Sequence, residues 1–294
     1  MDIRQSQSWS KYLAELGWLA ESLPLNRFAY VKPVPLLGSI IKIPRCPLPI
    51  PFKEIDAVAK KHKAIFVKIE PEIETSNPHT GEFLKLLKNK GFVKDSWSLN
   101  PTKTIQINLA GSEDELLKSF EKDTRYSVNL AQRKGVRIEE TDDLEEFEKI
   151  YFETAQRKGF WPAKKELEAL WRVFKKENKV VLLKALYNNE TLAFTMLLLN
   201  DKTASYYHAA SLDKHREVLA PYLLLWEAAR FSKNKGCEIL DLEGIKDERF
   251  ASTKKWGGFT LFKKGFGGRK IEYLGSFTKY YNFWYRVLFF FSRF

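Results

Sequence analysis

The sequence predicts an α/β chain of the α+β kind: two domains with mixed, largely antiparallel sheets flanked by helices. Three observations carry that expectation. A length of 294 residues with 44% hydrophobic content supports a large core, and at ~150 residues per domain it suggests roughly two domains. The first hundred residues are an uneven mixture broken by prolines, whereas the remainder alternates helical and strand periodicities more regularly. Glycines stand where helices should stop, most visibly in "AQRKG", which occurs at 131 to 135 and again at 155 to 159.

In order along the chain, "SQSWSKYLAELGWLAESL" places Trp9, Leu13, Leu16 and Leu19 at helical spacing, and "RFAYVKPVPLLGSIIKIP" reads as two strands around a Pro/Gly turn. The run "IPRCPLPIP" is expected to be an extended loop, because its four prolines remove backbone donors. A helix near 52 to 62, a strand "AIFVKIEP", a helix near 80 to 89 and a strand "KTIQINL" complete the first part. Ser112 and Glu115 form a capping box opening a helix expected to run to about Lys134, followed by the strand "VRIEE". Helices follow from Asp142 to about Lys158 and near 164 to 177. Three strands, "VVLLKALY", "TLAFTMLLL" and "TASYYHAA", are joined by the turn pairs "NN" and "ND". A helix from about Glu217 to Lys235, the strand "CEILDLEG" and the segment "GGFTLFKKGFGG" come last.

Strand, two helices, three-strand meander, helix, strand, short helix and strand is the layout of the GNAT acyltransferase fold. Its members grip a CoA pyrophosphate with a loop that usually reads Gln/Arg-x-x-Gly-x-Gly/Ala, since a larger last side chain blocks the backbone's approach to phosphate. Here Arg137 and Trp161 occupy that last position, and both copies of "QRKG" fall at helix ends. The segment after the fourth strand, "SLDKHREVLAPY", has no glycine. An acyl donor other than acyl-CoA is therefore expected.

The net charge of +12 favours a polyanionic partner such as RNA, a phosphorylated precursor or an acidic membrane surface. Cys46 and Cys237 lack CxxC spacing, which argues against disulfides and cysteine-rich zinc sites. His62, His79, His208 and His215 show no paired ligand spacing, so no metal is expected. The start "MDIRQSQSW" does not resemble a signal peptide and no apolar stretch reaches the ~18 residues of a membrane span. A cytoplasmic location and a monomer are expected.

Several motifs together resemble the FemABX family of peptidyltransferases, which use aminoacyl-tRNA to add amino acids to peptidoglycan precursors. They are "TRYSVNLAQRKGV", "FETAQRKGFW", "ASYYHAAS" before "APYLLLWEAAR", "GCEILDLEGI" and "WGGFTLFKKGFGGRKIEYLG". The resemblance implies two GNAT-like domains, 1–109 with 275–294 packing back on it, and 110–274. It also implies an armless member, because the turn "GFWPAKKE" leaves no room for the coiled-coil arm that some relatives carry.

By position, the resemblance makes Lys263 the lysine beside the transferred acyl group and Phe262 its neighbour. The chemistry suits this, because an aminoacyl ester is already activated and a positioned cation stabilises the developing oxyanion. The alternative for Lys263 is an ordinary solvated side chain. Arg157 matches an arginine that binds the precursor's phosphate and peptide portion, as a guanidinium fork suits such oxygens; alternatively it serves its own helix terminus. Trp161 stands where the family has a tyrosine, which removes a hydroxyl while leaving a stacking surface. Tyr207 is the best match to a further ligand, with Tyr222 and Tyr206 beside it, core filling being the alternative for all three, and Lys32 matches a lysine of the first domain that contacts the precursor. Asp241 and Glu243 alternate on a strand, as a proton-accepting pair or as salt-bridge partners.

The implied function is transfer of an amino acid from aminoacyl-tRNA to the stem peptide of a UDP-linked or lipid-linked precursor, with no cofactor beyond the tRNA co-substrate. An acyl-CoA-dependent N-acyltransferase and a non-catalytic RNA- or lipid-binding module are the alternatives. The tail "SFTKYYNFWYRVLFFFSRF" carries ten aromatics among Lys279, Arg286 and Arg293. It reads either as packing on the first domain or as peripheral contact with the inner face of the membrane.

Overall fold

A computed structural model of the protein describes residues 1–281. Its elements, in chain order, are α1 (Gln7–Glu15), β1 (Leu19–Leu23), β2 (Arg27–Val34), β3 (Gly38–Cys46), α2 (Phe52–Lys61), β4 (Ala64–Pro71), α3 (Thr80–Asn89), β5 (Val93–Lys94) and β6 (Lys103–Asn108). Next come α4 (Glu113–Ser119), α5 (Lys122–Arg133), β7 (Arg137–Thr141), α6 (Leu144–Lys158), α7 (Lys164–Lys176), β8 (Val180–Tyr187), β9 (Glu190–Asn200) and β10 (Thr203–Ser211). The last are α8 (Ala220–Asn234), β11 (Ile239–Gly244), α9 (Gly257–Lys264), β12 (Arg269–Glu272) and β13 (Phe277–Tyr280).

The chain divides into two compact units. The first comprises Met1–Lys103, Asp247–Lys254 and the described residues from Ile271 on; the second comprises Thr104–Lys246 and Lys255–Lys270. The expected boundaries at 109/110 and 274/275 therefore differ from the contact division by a few residues, and the segment 247–254 returns to the first unit.

In the first unit six strands run in the order β1-β2-β3-β4-β13-β5. All neighbouring pairs with a stated direction are antiparallel except β3 with β4. One face is apolar: Ala29, Val31, Ile41, Ile43, Val67 and Ile69 pack in one cluster with Ile55, Val58 and Ala59 of α2 and Phe83 and Leu87 of α3. At ~1.5–3 kcal/mol for each fully buried aliphatic side chain, this face fixes the register. The opposite alternation carries Tyr30, Lys32, Lys42, Lys68 and Glu70, with Lys42 directly across from both Tyr30 and Lys68.

The second unit's sheet runs β12-β6-β11-β10-β9-β8-β7. Its meander β8-β9-β10 is antiparallel, joined at Asn188, Asn189 and Asp201 in left-handed conformations. β11 then pairs parallel with β10, completing the expected order. The core is built on β6, β8 and β11 against α8 and gathers Phe120, Trp226 and Phe266 edge to face.

Three expectations change. The first helix stops at Gly17 (φ +76°), and Leu19 pairs with Val31 as a strand residue, so its helical spacing is overridden by sheet formation. β3 continues through Pro44 to Cys46 within the proline run, over a register shift at which Arg45 takes φ +44°. The helix expected from Ser112 to Lys134 is two helices. Phe120 is extended (ψ 155°) so that its ring can enter the core, and the Glu121 N–H leaves the helical ladder for the Gly265 carbonyl at 2.8 Å.

Glycine conformations give a measurable contrast. Gly268 has φ +86°, and a Cβ there would lie 2.6 Å from the Gln106 carbonyl oxygen, whereas Gly135 at φ +83° has open space around it. Gly135→Ala should cost about 1 kcal/mol, from conformation alone, and Gly268→Ala at least ~3 kcal/mol from conformation plus collision. Equal shifts of the urea midpoint in the two variants would contradict this account.

Candidate active site

Both copies of "QRKG" close a helix in the same way. Gly135 and Gly159 (φ +83° and +72°) let Val136 and Phe160 donate backward to Ala131 and Ala155 at 3.1 Å, satisfying carbonyls that the helix end leaves open. The arginines then diverge. Arg133 lies 6.0 Å from the Tyr126 ring. Arg157 donates to the Ser211 carbonyl at 2.5 Å, beside reciprocal bonds between Thr154 and the Ser211 backbone at 3.1 and 3.2 Å. The end of α6 is thereby fastened to the end of β10.

A hollow of about 220 Å³ opens at this junction, lined by Arg157, Ser211, Lys214, Arg216 and Tyr222 among others. The chain enters α8 through Leu219 in a left-handed conformation, with no side-chain cap on the helix start. Lys214 pairs with Glu190 and Arg216 with Asp213. Arg157 brings its guanidinium to the rim from the helix terminus, where it is exposed.

Tyr222 links the hollow to α9. Its ring meets Phe262 edge to face at 4.9 Å and stacks on Phe266 at 6.0 Å. The next residue, Lys263, is half-buried, and its ammonium donates to the Gly244 carbonyl at 2.8 Å while lying 5.1 Å from the Phe259 ring. Burial pushes the Lys263 pKa down to about 8, against the opposing pull of the Glu243 and Asp241 carboxylates. Those carboxylates do not form the regular alternating pair expected. The ladder with β6 shifts between Asp241 and Gly244, and Glu243 takes φ +58°. Asp241 accepts hydrogen bonds from Thr104, from Gln106 at 2.9 Å and from the Glu243 N–H at 2.7 Å. Asp241 thus organises the bulge, and both charges sustain the ammonium next door.

On β10 a bulge between Tyr206 and His208 separates three side chains. Tyr206 is buried in the core, and Tyr207 is half-buried with its ring 4.6 Å from His208. His208 shares a hydrogen bond with the Tyr151 hydroxyl at 3.0 Å. Burial pushes His208 down to about 4 and Tyr151 up to about 12, so at neutral pH the bond joins a neutral phenol to a neutral imidazole. The sequence reading weighed His208 only as a metal ligand; its partner is 57 residues away and becomes adjacent only through the packing of α6 on β10.

The other residues singled out from sequence lie elsewhere. Trp161, in the connection between α6 and α7, is 88% exposed. Lys32 belongs to the first unit, where its ammonium donates to the Leu16 carbonyl at 2.6 Å and lies 5.8 Å from the Trp18 ring. Sequence reading missed what accompanies it. Lys42 lies 4.9 Å from Trp18 and 5.7 Å from Trp97, and Lys68 lies 4.0 Å from Trp97 and 2.8 Å from Asp95. Cations and indoles thus alternate along the polar sheet face. The tail from residue 282 lies outside the described residues; before it, β13 pairs with β4 and β5. No described helix is long and apolar enough to cross a membrane.

The model of the FemAB family matches residues 4–182 and 163–292. A lipid II:glycine glycyltransferase from Staphylococcus aureus is 30% identical over 186 residues, covering 54% of this chain and 44% of that protein. The chain spans about half the length of the curated relatives it matches. Among solved structures, a crystal structure of FemX superposes with a TM-score of 0.82 at 19% identity, covering 98% of this chain and 94% of that one. L-PGS from Bacillus licheniformis gives 0.60 at 14% identity, covering 96% and 90%. These likenesses show a FemX-type fold, and α6 and α7 are joined directly without a coiled-coil arm.

The half-buried lysine sets a stability test. Its folded pKa lies below its ordinary value, so the unfolded chain binds the proton more readily between about pH 8 and 10.5. The penalty, at most about 3 kcal/mol, is fully present below pH 8 and fades as pH rises through that window. After loss of the Gly244 hydrogen bond is subtracted, Lys263→Met should be more stable than the parent by roughly 1–2 kcal/mol at pH 7. That advantage should shrink toward pH 10.5 in urea titrations, and a pH-independent difference would refute the burial argument.

Proposed function

Because this chain belongs to the FemAB family, we propose that it is an aminoacyltransferase that moves an amino acid from aminoacyl-tRNA to an amine on the stem peptide of a peptidoglycan precursor. The observation that carries the reading is Lys263. It is an ammonium with a lowered pKa, held by the Gly244 carbonyl, one residue from the Phe262–Tyr222 contact that leads to the basic hollow at Arg157.

The reaction makes few demands on the protein. A neutral amine of the precursor attacks the ester carbonyl, the amide C–N bond forms and the ester C–O bond breaks. The amine's proton ends on the departing ribose hydroxyl. Negative charge gathers on the carbonyl oxygen in between, and the Lys263 ammonium stabilises it in surroundings where water is partly excluded. Phe262 and Tyr222 shape the apolar wall beside it. Arg157 and the neighbouring cations of the hollow suit phosphate or carboxylate oxygens of a substrate. The net charge of +12 suits two anionic substrates.

Purified protein incubated with charged tRNA and a UDP-linked precursor should yield a precursor heavier by one or more aminoacyl residues in mass spectra, and ribonuclease pretreatment should abolish the product. Acyl-CoA supporting the reaction in place of charged tRNA would overturn the donor assignment.

Lys263→Ala should lower kcat/KM by roughly 10²–10³-fold. In the parent the rate should fall as pH rises through about 8, because the working ammonium loses its proton; Lys263→Arg should retain activity and move that limb upward. An unchanged alkaline limb in Lys263→Arg would separate this lysine from the chemistry.

The twin arginines offer an internal control. Arg157→Ala should weaken precursor binding by the ~1.5–3 kcal/mol of a hydrogen bond to a charged group, whereas Arg133→Ala should leave it unchanged. Equal affinities by isothermal titration would assign both arginines to helix ends alone.

A further inference from the structure

The turn joining β2 to β3 is built against the usual preferences of turns. Leu36 sits at φ +64°, a conformation ordinarily left to glycine or asparagine, and is fully exposed; Leu37 beside it is 51% exposed. An apolar branched side chain there gains nothing from the fold, and two adjacent leucines form a small exposed apolar tip. The turn is also held rigidly. Leu37 donates to Val34 at 3.1 Å, and Ser39 donates to the Lys63 carbonyl at 3.3 Å and, through its hydroxyl, to the His62 carbonyl at 2.8 Å. The Lys63 carbonyl fills the space where Gly38 would carry a Cβ.

That docking sets the leucines beside the end of α2, where Lys60, Lys61 and Lys63 are exposed and Lys61 is paired with Glu21. Lys32 lies two residues before Val34 on the strand leading into the turn. An exposed apolar tip bordered by ammonium groups matches the layered chemistry of a bilayer surface, with acyl chains for the leucines and anionic headgroups for the lysines.

We propose that the β2–β3 turn is a membrane-inserting tip, seating Leu36 and Leu37 among the acyl chains of an anionic bilayer with Lys60 and Lys63 on headgroup phosphates. Such a tip gains its use from the proposed reaction, since a lipid-linked acceptor would be met at the bilayer. Its binding can nevertheless be read without any transfer chemistry, so the two readings fail separately.

The test is partition of the full chain onto vesicles of phosphatidylglycerol and phosphatidylcholine, against phosphatidylcholine alone. Leu36→Asn with Leu37→Ser should bind anionic vesicles at least about 10-fold more weakly. Thermal stability should be unchanged or raised, because asparagine tolerates the left-handed position. Lys60→Gln with Lys63→Gln should lose roughly 10-fold on anionic vesicles and nothing on neutral ones. An environment-sensitive dye on Leu36→Cys should shift to the blue with anionic vesicles while the same dye on Lys85→Cys of α3 does not; the native Cys46 and Cys237 are buried and stay unlabelled. Unchanged partition of the leucine variant, no shift at position 36, or leucine-dependent dimerisation without vesicle binding would each overturn the proposal.

Discussion

A half-buried ammonium must find an acceptor, and in this protein the acceptor is the backbone of a strand that has just lost its regularity. The shift in β11 after Asp241 puts Glu243 in a left-handed conformation and presents the Gly244 carbonyl to Lys263. Asp241 stabilises that irregularity through Thr104 and Gln106 on β6, and the Thr260 hydroxyl takes the Lys246 N–H just beyond it. α9 is therefore tied to the sheet at two points, one of them the ammonium. The aromatic series Phe262, Phe266 and Tyr222 packs from that helix toward α8 and the hollow. The arrangement has an energetic sign of its own, because the folded chain holds a charge where burial disfavours it. Such a deficit is met by the surrounding core.

The repeated "QRKG" separates local from tertiary information. Five identical residues give the same helix closure twice, down to the backward hydrogen bond after each glycine. Capping is a property of neighbours in sequence, so it repeats. What the arginine touches depends on which strand end lies beside the helix, and only α6 lies beside Ser211.

The same distinction explains how much could be read from the sequence. The order of the second unit's elements was legible because each element carries its own period and its own stop. The junction at Phe120 was not, because a helix-compatible stretch is broken by the tertiary demand of one aromatic ring between Trp226 and Phe266. Lys263, Phe262 and Arg157 entered as candidates through motif resemblance alone. Lys42 and Lys68 were invisible, since their alignment with Lys32 arises from register across β2, β3 and β4 rather than from spacing along any one of them. The Tyr151–His208 pair was missed for a related reason: a half-buried neutral imidazole has no sequence signature apart from its distant partner.

The position of β13 has a consequence for biosynthesis. It lies between β4 and β5, pairing Phe277 with Ile69 on one side and with Lys94 on the other. Strands β4 and β5 are made about 206 and 183 residues, respectively, before the strand that must separate them. Until then the first unit presents an unpaired β4 edge whose flanking face is strongly apolar, while the second unit, apart from its last strand, can already close its own core. The nascent chain thus passes through a state in which most of the later-made half can fold while the earlier half waits with an open edge, the kind of intermediate that chaperones shield.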